Sequence, residues 1–167
     1  GAGQMRQIAA IDDDRVEVDR PWLIGLDETS HVVIAQARSQ LLFLDNRVRD
    51  GQPFQFYGSA VDAVLAGNIA ERNSGIPVYG MSKGGSPEPS WFIQFLGNEI
   101  LDGNSVRGPW SFVVPAEDSY LAFFDRGIMK PLTYPQARVG IMRRNVLRSN
   151  AYLYAGPRVE NVLVENN

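Results

Sequence analysis

Short apolar runs alternate with polar positions along almost the whole chain, and turn-forming Gly, Pro, Asn and Asp stand between them. That punctuation is the pattern of β-strands rather than of long helices. Arg15 to Asp19 sets Val16 and Val18 on one face, and Pro21 separates them from Trp22-Leu23-Ile24. His31 to Ala37 and Ser39 to Leu44 read as Val- and Leu-rich strands, closed by turn chemistry at Asp45-Asn46 and Asp50-Gly51. Phe54 and Phe56 then alternate with Gln55 and Tyr57.

One segment carries a different period. Val61, Val64, Leu65 and Ile69 recur at helical spacing after Ser59, a good N-cap, with Asp62 in the first turn. A short α-helix is predicted over 59–72, weakened by Gly67 and ended by Asn73-Ser74-Gly75. Gly80 to Pro89, rich in Gly and Pro, reads as a surface loop suited to recognition. The second half returns to strands at Trp91–Leu96, Trp110–Val114, Tyr120–Phe124, Arg138–Met142, Ala151–Tyr154 and Val159–Val164. Asp102-Gly103 signals a hairpin.

About nine or ten short strands with one helix predict a mainly β fold, an antiparallel β-sandwich or barrel. No domain boundary, internal repeat or low-complexity tract stands out. The expectation is one globular domain over 1–167, with residues 1–4 as a remnant or disordered terminus.

Composition narrows the function classes. The 167 residues are 44% hydrophobic and 21% charged, with a formal net charge of -3, so a nucleic-acid partner is not expected. No cysteine is present, which excludes disulfides, thiolate metal sites and a thiol nucleophile. A single His makes a metal centre an unpromising reading, and no cofactor motif is legible. No apolar run approaches the roughly 18 residues of a membrane-spanning helix. The basic residues include only two lysines, Lys83 and Lys130; the rest are arginines, which suit bidentate ion pairs and interfaces.

Candidate chemistry is sparse. Asp27, Ser30 and His31 bring an acid, a hydroxyl and the only imidazole together, but adjacent strand residues point to opposite faces. A turn stabilised by the Asp and hydroxyl side chains explains the same residues. Paired carboxylates for glycoside chemistry are offered by Asp12-Asp13-Asp14, by Glu99 with Asp102, and by Glu117 with Asp118, and no spacing selects among them. No catalytic residue is assigned. As binding candidates the sequence offers Lys83 on the Gly/Pro loop with Trp91 at its edge, the basic stretch Arg143, Arg144 and Arg148, and the pair Tyr152 and Tyr154.

These readings converge on a non-enzymatic binding or assembly module, a β-sandwich that presents loops or edges to a protein partner or to another copy of itself in a larger assembly. The alternatives are a carbohydrate-binding module, a hydrolase built on Asp27, Ser30 and His31 or on paired carboxylates, and a carrier of small apolar ligands.

Overall fold

The computed structural model describes residues 4–30, 32, 34–50, 55–73, 75–83, 86–101, 119–127, 137–148, 151–156 and 159–167. The chain falls into two compact units, Gly1–Ile34 and Ala35–Asn167.

The first unit is built on an antiparallel hairpin, β1 (Ile8–Asp12) and β2 (Arg15–Val18), with a bulge between Ile8 and Ala10. Asp13 takes the turn at φ 42°. After the hairpin, the Arg6 guanidinium donates to the carbonyls of Arg20 and Pro21 and lies 5.1 Å from the centre of the Trp22 ring. The Gln4 side chain bonds the backbone of Leu23 and Ile24. None of its large apolar side chains among the described residues is buried, and Leu23 is 88% exposed. The predicted strand 31–37 is not formed at its described positions, 32 and 34–37.

The second unit repeats a three-strand coil. The first coil holds β3 (Arg38–Leu44), β4 (Arg47–Arg49) and β5 (Phe56–Tyr57). The second holds β6 (Ala60–Ala66), β7 (Ile69–Glu71) and β8 (Gly75–Lys83), followed by β9 (Ser86–Glu88) folded back antiparallel on β8. The third holds β10 (Ser90–Leu96), β11 (Glu99–Leu101) and β12 (Ser119–Gly127). The fourth holds β13 (Ala137–Arg143), β14 (Val146–Leu147) and β15 (Ala151–Ala155), and β16 (Val159–Glu165) begins a fifth.

Each strand pairs in parallel with its counterpart in the next coil. Sheet I runs β16-β13-β10-β6-β3, sheet II runs β14-β11-β7-β4, and sheet III runs β15-β12-β8-β5. A chain that winds through three parallel sheets in turn, one strand per coil, is a parallel β-helix. The antiparallel sandwich or barrel is therefore corrected: among the described residues only β1–β2 and β8–β9 pair antiparallel.

The turn from sheet I to sheet II explains the winding. It is a left-handed residue followed by Asn: Asp45-Asn46, Gly67-Asn68, Gly97-Asn98, Arg144-Asn145 and Asn166-Asn167, with φ of 53°, 64°, 59°, 57° and 53° at the first position. Gly, Asn and Asp tolerate that conformation well. At Gly67 a Cβ would also collide with Asp45 Oδ1. The asparagines stack into a ladder. Asn46 Nδ2 donates to Asn68 Oδ1 (3.0 Å), Asn68 to Asn98 (2.9 Å), Asn98 to Asn145 (3.0 Å) and Asn145 to Asn167 (2.7 Å). Asn68, Asn98 and Asn145 are buried, and these bonds satisfy amides that burial would otherwise penalise.

The sequence separations between successive ladder residues are 22, 30, 47 and 22. The chain is thus an internal repeat, contrary to the sequence reading, with extra residues in the second and third coils that hide the period.

A second left-handed column runs through sheet I at Gln40, Asp62, Phe92, Val139 and Asn161, with φ from 55° to 59°. These residues are skipped in the strand register, so each strand carries a bulge there. The bulge corrects the helix predicted over 59–72. It places Val61 and Asp62 consecutively away from the interior, so the apolar spacing imitates a helical period. In the structure that segment is β6, the Gly67-Asn68 turn and β7. Leu65 is fully buried while Val61 and Val64 are half-buried, so the supposed stripe lies on two faces of a sheet. The Gly80–Pro89 loop is likewise replaced by the β8–β9 hairpin, with Gly84 and Gly85 outside the described residues. Trp110–Val114 and the Asp102-Gly103 hairpin also lie outside them.

The core sits inside the coils. Leu65, Phe95 and Met142 stack in register and are fully buried, with Ile76, Ile93 and Ile100 beside them. Each such side chain contributes about 1.5–3 kcal/mol of apolar burial. At the first coil the equivalent Leu41 and Phe43 are only half-buried.

Candidate binding surface

The outward face of sheet I follows from the same bulged alternation. Two of its columns are Leu42, Val64, Gln94, Ile141, Leu163 and Leu44, Ala66, Leu96, Arg143, Glu165. Further along the strands come Phe92 and Trp91. Leu42 is 69% exposed, Leu163 47%, Leu44 46% and Phe92 40%. Four strand intervals of about 4.8 Å and six residue intervals of about 3.3 Å give a face of roughly 400 Å², apolar and polar positions together. Apolar patches of a few hundred Å² on a soluble surface are often functional.

Trp91 anchors one end of this face. It is 7% exposed and meets Phe92 edge-on, with ring centres 6.4 Å apart. The Arg138 guanidinium lies 5.7 Å from the centre of the Trp91 ring. The indole N–H is buried and finds no acceptor among the described residues. Charges frame the face: Arg138 pairs with Glu160 (3.4 Å) and Arg143 with Glu165.

The predicted site residues are divided. Trp91 and Arg143 lie on the outer face of sheet I. Arg144 is the left-handed turn residue beside it, exposed, its N–H bonded to the Glu165 carbonyl (3.3 Å). Arg148 is exposed just after β14 and donates its N–H to the Ile100 carbonyl (2.9 Å). Lys83, Tyr152 and Tyr154 belong to sheet III: the Lys83 backbone pairs with Ser86, and Tyr152 stands in register with Tyr120. The side chains of Lys83 and Tyr152 lie outside the described residues. Leu153 packs on the core, and Tyr154 on the alternate position is half-buried. The exposed column residues, Leu42, Leu44 and Leu163, were missed. The signal was the Asn repeat, which aligns them.

The candidate catalytic groups behave as structural ones where they are described. Asp27 Oδ1 accepts from the Thr29 N–H (2.9 Å), the Thr29 hydroxyl (2.8 Å) and the Ser30 hydroxyl (3.1 Å). The Thr29 bonds, then the Ser30 hydroxyl, hold its carboxyl below the usual range. This is a side-chain-stabilised turn. His31 lies outside the described residues, as do Asp102, Glu117 and Asp118. Asp12, Asp13 and Asp14 are exposed at the hairpin tip, and Glu99 is half-buried on β11.

A carboxylate cluster that sequence reasoning did not single out ties the first two coils together on sheet II. Glu71 Oε2 accepts from Arg47 (2.7 Å) and Arg49 (2.8 Å), and Glu71 Oε1 from Arg72 (3.0 Å). Arg72 also grips Asp50 through both carboxylate oxygens. The Arg47 and Arg49 bonds bring Glu71 down from 4.5 to about 2, and Arg72 lowers Asp50. A glycosidase general acid needs the opposite, a raised carboxyl. Among the described residues, no group of three His, Asp or Glu side chains is placed to hold a metal ion, and no helix is long and apolar enough to cross a membrane.

Comparison with protein-family models, with curated proteins and with solved structures finds no match for this chain.

Proposed function

We propose that the chain is a non-enzymatic binding module in which a β-helix holds the outer face of sheet I flat for a protein partner. The observation that carries this reading is the exposure of Leu42, Leu44, Phe92 and Leu163 on one side of a rigid scaffold, where solvent would favour polar side chains. Trp91 supports it as an aromatic side chain at one end of the face, packed edge-on against the exposed Phe92 ring. The surrounding Arg138–Glu160 and Arg143–Glu165 pairs form the polar rim typical of interfaces. Asp27 and Ser30 are engaged in a local turn, and Leu65, Ile93, Phe95 and Met142 pack in one apolar cluster inside the coils.

The test uses Leu42→Lys with Phe92→Lys as bait against the parent chain. Both positions are exposed, so melting should stay nearly unchanged. The expected result is a protein retained by the parent and lost by the variant, with slowed hydrogen exchange at residues 39–44, 61–66 and 91–96 in the complex. Equal retention by both baits would overturn the proposal. A glycan, rather than a protein, lost by the same variant would replace it with the carbohydrate reading.

A further inference from the structure

Left-handed backbone falls mostly on residues that tolerate it. Among the described residues, the positive-φ positions other than glycine are Asp, Asn, Gln, Ser and Arg, with two exceptions: Phe92 at 59° and Val139 at 55°. A bulky aromatic and a β-branched side chain are the kinds that this conformation penalises most, because Cβ crowds the following carbonyl. The bulge itself does not require them, since Gln40, Asp62 and Asn161 hold the same place on β3, β6 and β16. Nor does the core, since both lie on the outer face of sheet I, Phe92 40% exposed and Val139 half-buried. Backbone strain of this kind persists where a binding site makes use of the residue that bears it.

The two strained residues are neighbours. β10 and β13 pair with Trp91 opposite Arg138 and Ile93 opposite Gly140, so Phe92 and Val139 stand side by side, about 4.8 Å apart. Asp62 on β6 is the next residue of the row on the Phe92 side. It is exposed and forms no ion pair with another described residue, whereas the other charges of the outer face are matched, Arg138 with Glu160 and Arg143 with Glu165. One unbalanced negative charge therefore lies a single strand spacing from an apolar pair. Size bears on the occupant as well. A face of roughly 400 Å² is about half of what each partner buries in a standard interface, too little for a stable dimer of two such faces and enough for one segment of a partner. Two copies face to face would also bring a second unbalanced carboxylate to the joint and no cation.

We infer, resting on the reading of this face as a protein-binding surface, that its occupant is a single partner segment with a basic side chain against Asp62 and an apolar one on Phe92 and Val139. Charge complementarity selects the cation, and the apolar pair selects its neighbour. A polar residue at position 92 or 139 would suit the backbone better and would remove the apolar contact, which is why the strain is retained. The same trade sets the sign of the test: relieving the strain should stabilise the fold and weaken binding together.

The probe is a library of short random peptides selected on the immobilised full chain, with the enriched peptides then synthesised and titrated singly. They are expected to carry Arg or Lys close to Leu, Phe or Trp. Asp62→Asn keeps the shape and suits the φ of 56°, so it should melt as the parent does. It should bind these peptides about three- to fivefold more weakly, the difference shrinking as salt is added. Phe92→Asn should bind about tenfold more weakly or worse, while its melting temperature rises by about 2–4 °C. Peptides that are lost with Leu42→Lys but lack a basic residue, or ignore Asp62→Asn, would overturn the inference and leave the face as a binding surface. Peptides that ignore Leu42→Lys, or a library that yields no binder, would overturn both. A melting temperature that fails to rise in Phe92→Asn would sink the link between strain and binding.

Discussion

Replacing Asn98 by Ala removes the centre of the ladder, and the cost can be worked out bond by bond. Asn98 is fully buried. Its Oδ1 accepts from Asn68 N–H (3.1 Å) and Asn68 Nδ2 (2.9 Å), and its Nδ2 donates to the Leu65 carbonyl (2.8 Å) and to Asn145 Oδ1 (3.0 Å). Asn145 Oδ1 keeps the Asn98 backbone N–H (3.0 Å), so it is not orphaned. Three groups lose a partner with little access to water: Asn68 N–H, one Asn68 amide hydrogen and the Leu65 carbonyl. At about 1–3 kcal/mol each, with partial relaxation, the loss is about 3–6 kcal/mol. Asn46→Ala provides the internal comparison. Its Oδ1 accepts nothing among the described residues, and the Asn46 backbone N–H still satisfies Asn68 Oδ1, so the loss should be about 0.5–1.5 kcal/mol. The assay is denaturant unfolding followed by tryptophan fluorescence, which places Trp91 in the same coil as Asn98. Against a typical stability of about 5–15 kcal/mol, Asn98→Ala should be severely weakened and Asn46→Ala nearly intact. Equal losses at the two positions, or less than about 1 kcal/mol at Asn98, would refute the ladder as the tie between coils.

Two other outcomes follow from local geometry. Arg144 holds φ 57° with an exposed side chain, so Arg144→Gly should relieve about 1–2 kcal/mol of left-handed strain, part of it offset by the freer unfolded chain, and raise the melting temperature slightly. Glu71 titrates at about 2 when folded and near 4.5 when unpaired, so its contribution is complete above about pH 4.5 and lost as the pH falls towards 2. The parent should therefore lose more melting temperature across that window than Glu71→Gln does, and parallel pH profiles would contradict the Arg47–Glu71–Arg49 cluster.

Much of the local structure was legible in the chain. The strands read at 39–44, 91–96, 120–124, 138–142, 151–154 and 159–164 fall within β3, β10, β12, β13, β15 and β16, because apolar alternation and turn residues act over a few neighbours. The failures were also local in origin. At 59–72 the bulge at Asp62 and the turn at Gly67-Asn68 shift the alternation twice, and a strand, turn and strand then share the apolar spacing of a helix. At Gly80–Pro89 a composition rich in Gly and Pro concealed a hairpin. Of the binding candidates, Trp91 and Arg143 fall on one face while Lys83, Tyr152 and Tyr154 belong to another sheet, a division that depends on how the coils stack.

The amino-acid order by itself determined that the chain is cut into short strands, that Gly, Asp and Asn mark the turns, and that no cysteine chemistry is available. What it did not determine is what each strand pairs with. Asp45-Asn46 or Gly97-Asn98 serves equally well to reverse a hairpin or to carry the chain around a coil. The choice rests on hydrogen bonds to residues 22, 30 or 47 positions away. Those separations are unequal because the second and third coils hold more residues than the first, while the asparagine-to-asparagine bond is the same at each step. Only the tertiary structure, in which one buried amide satisfies the next, turns a scatter of asparagines into a ladder and a set of short strands into a parallel β-helix.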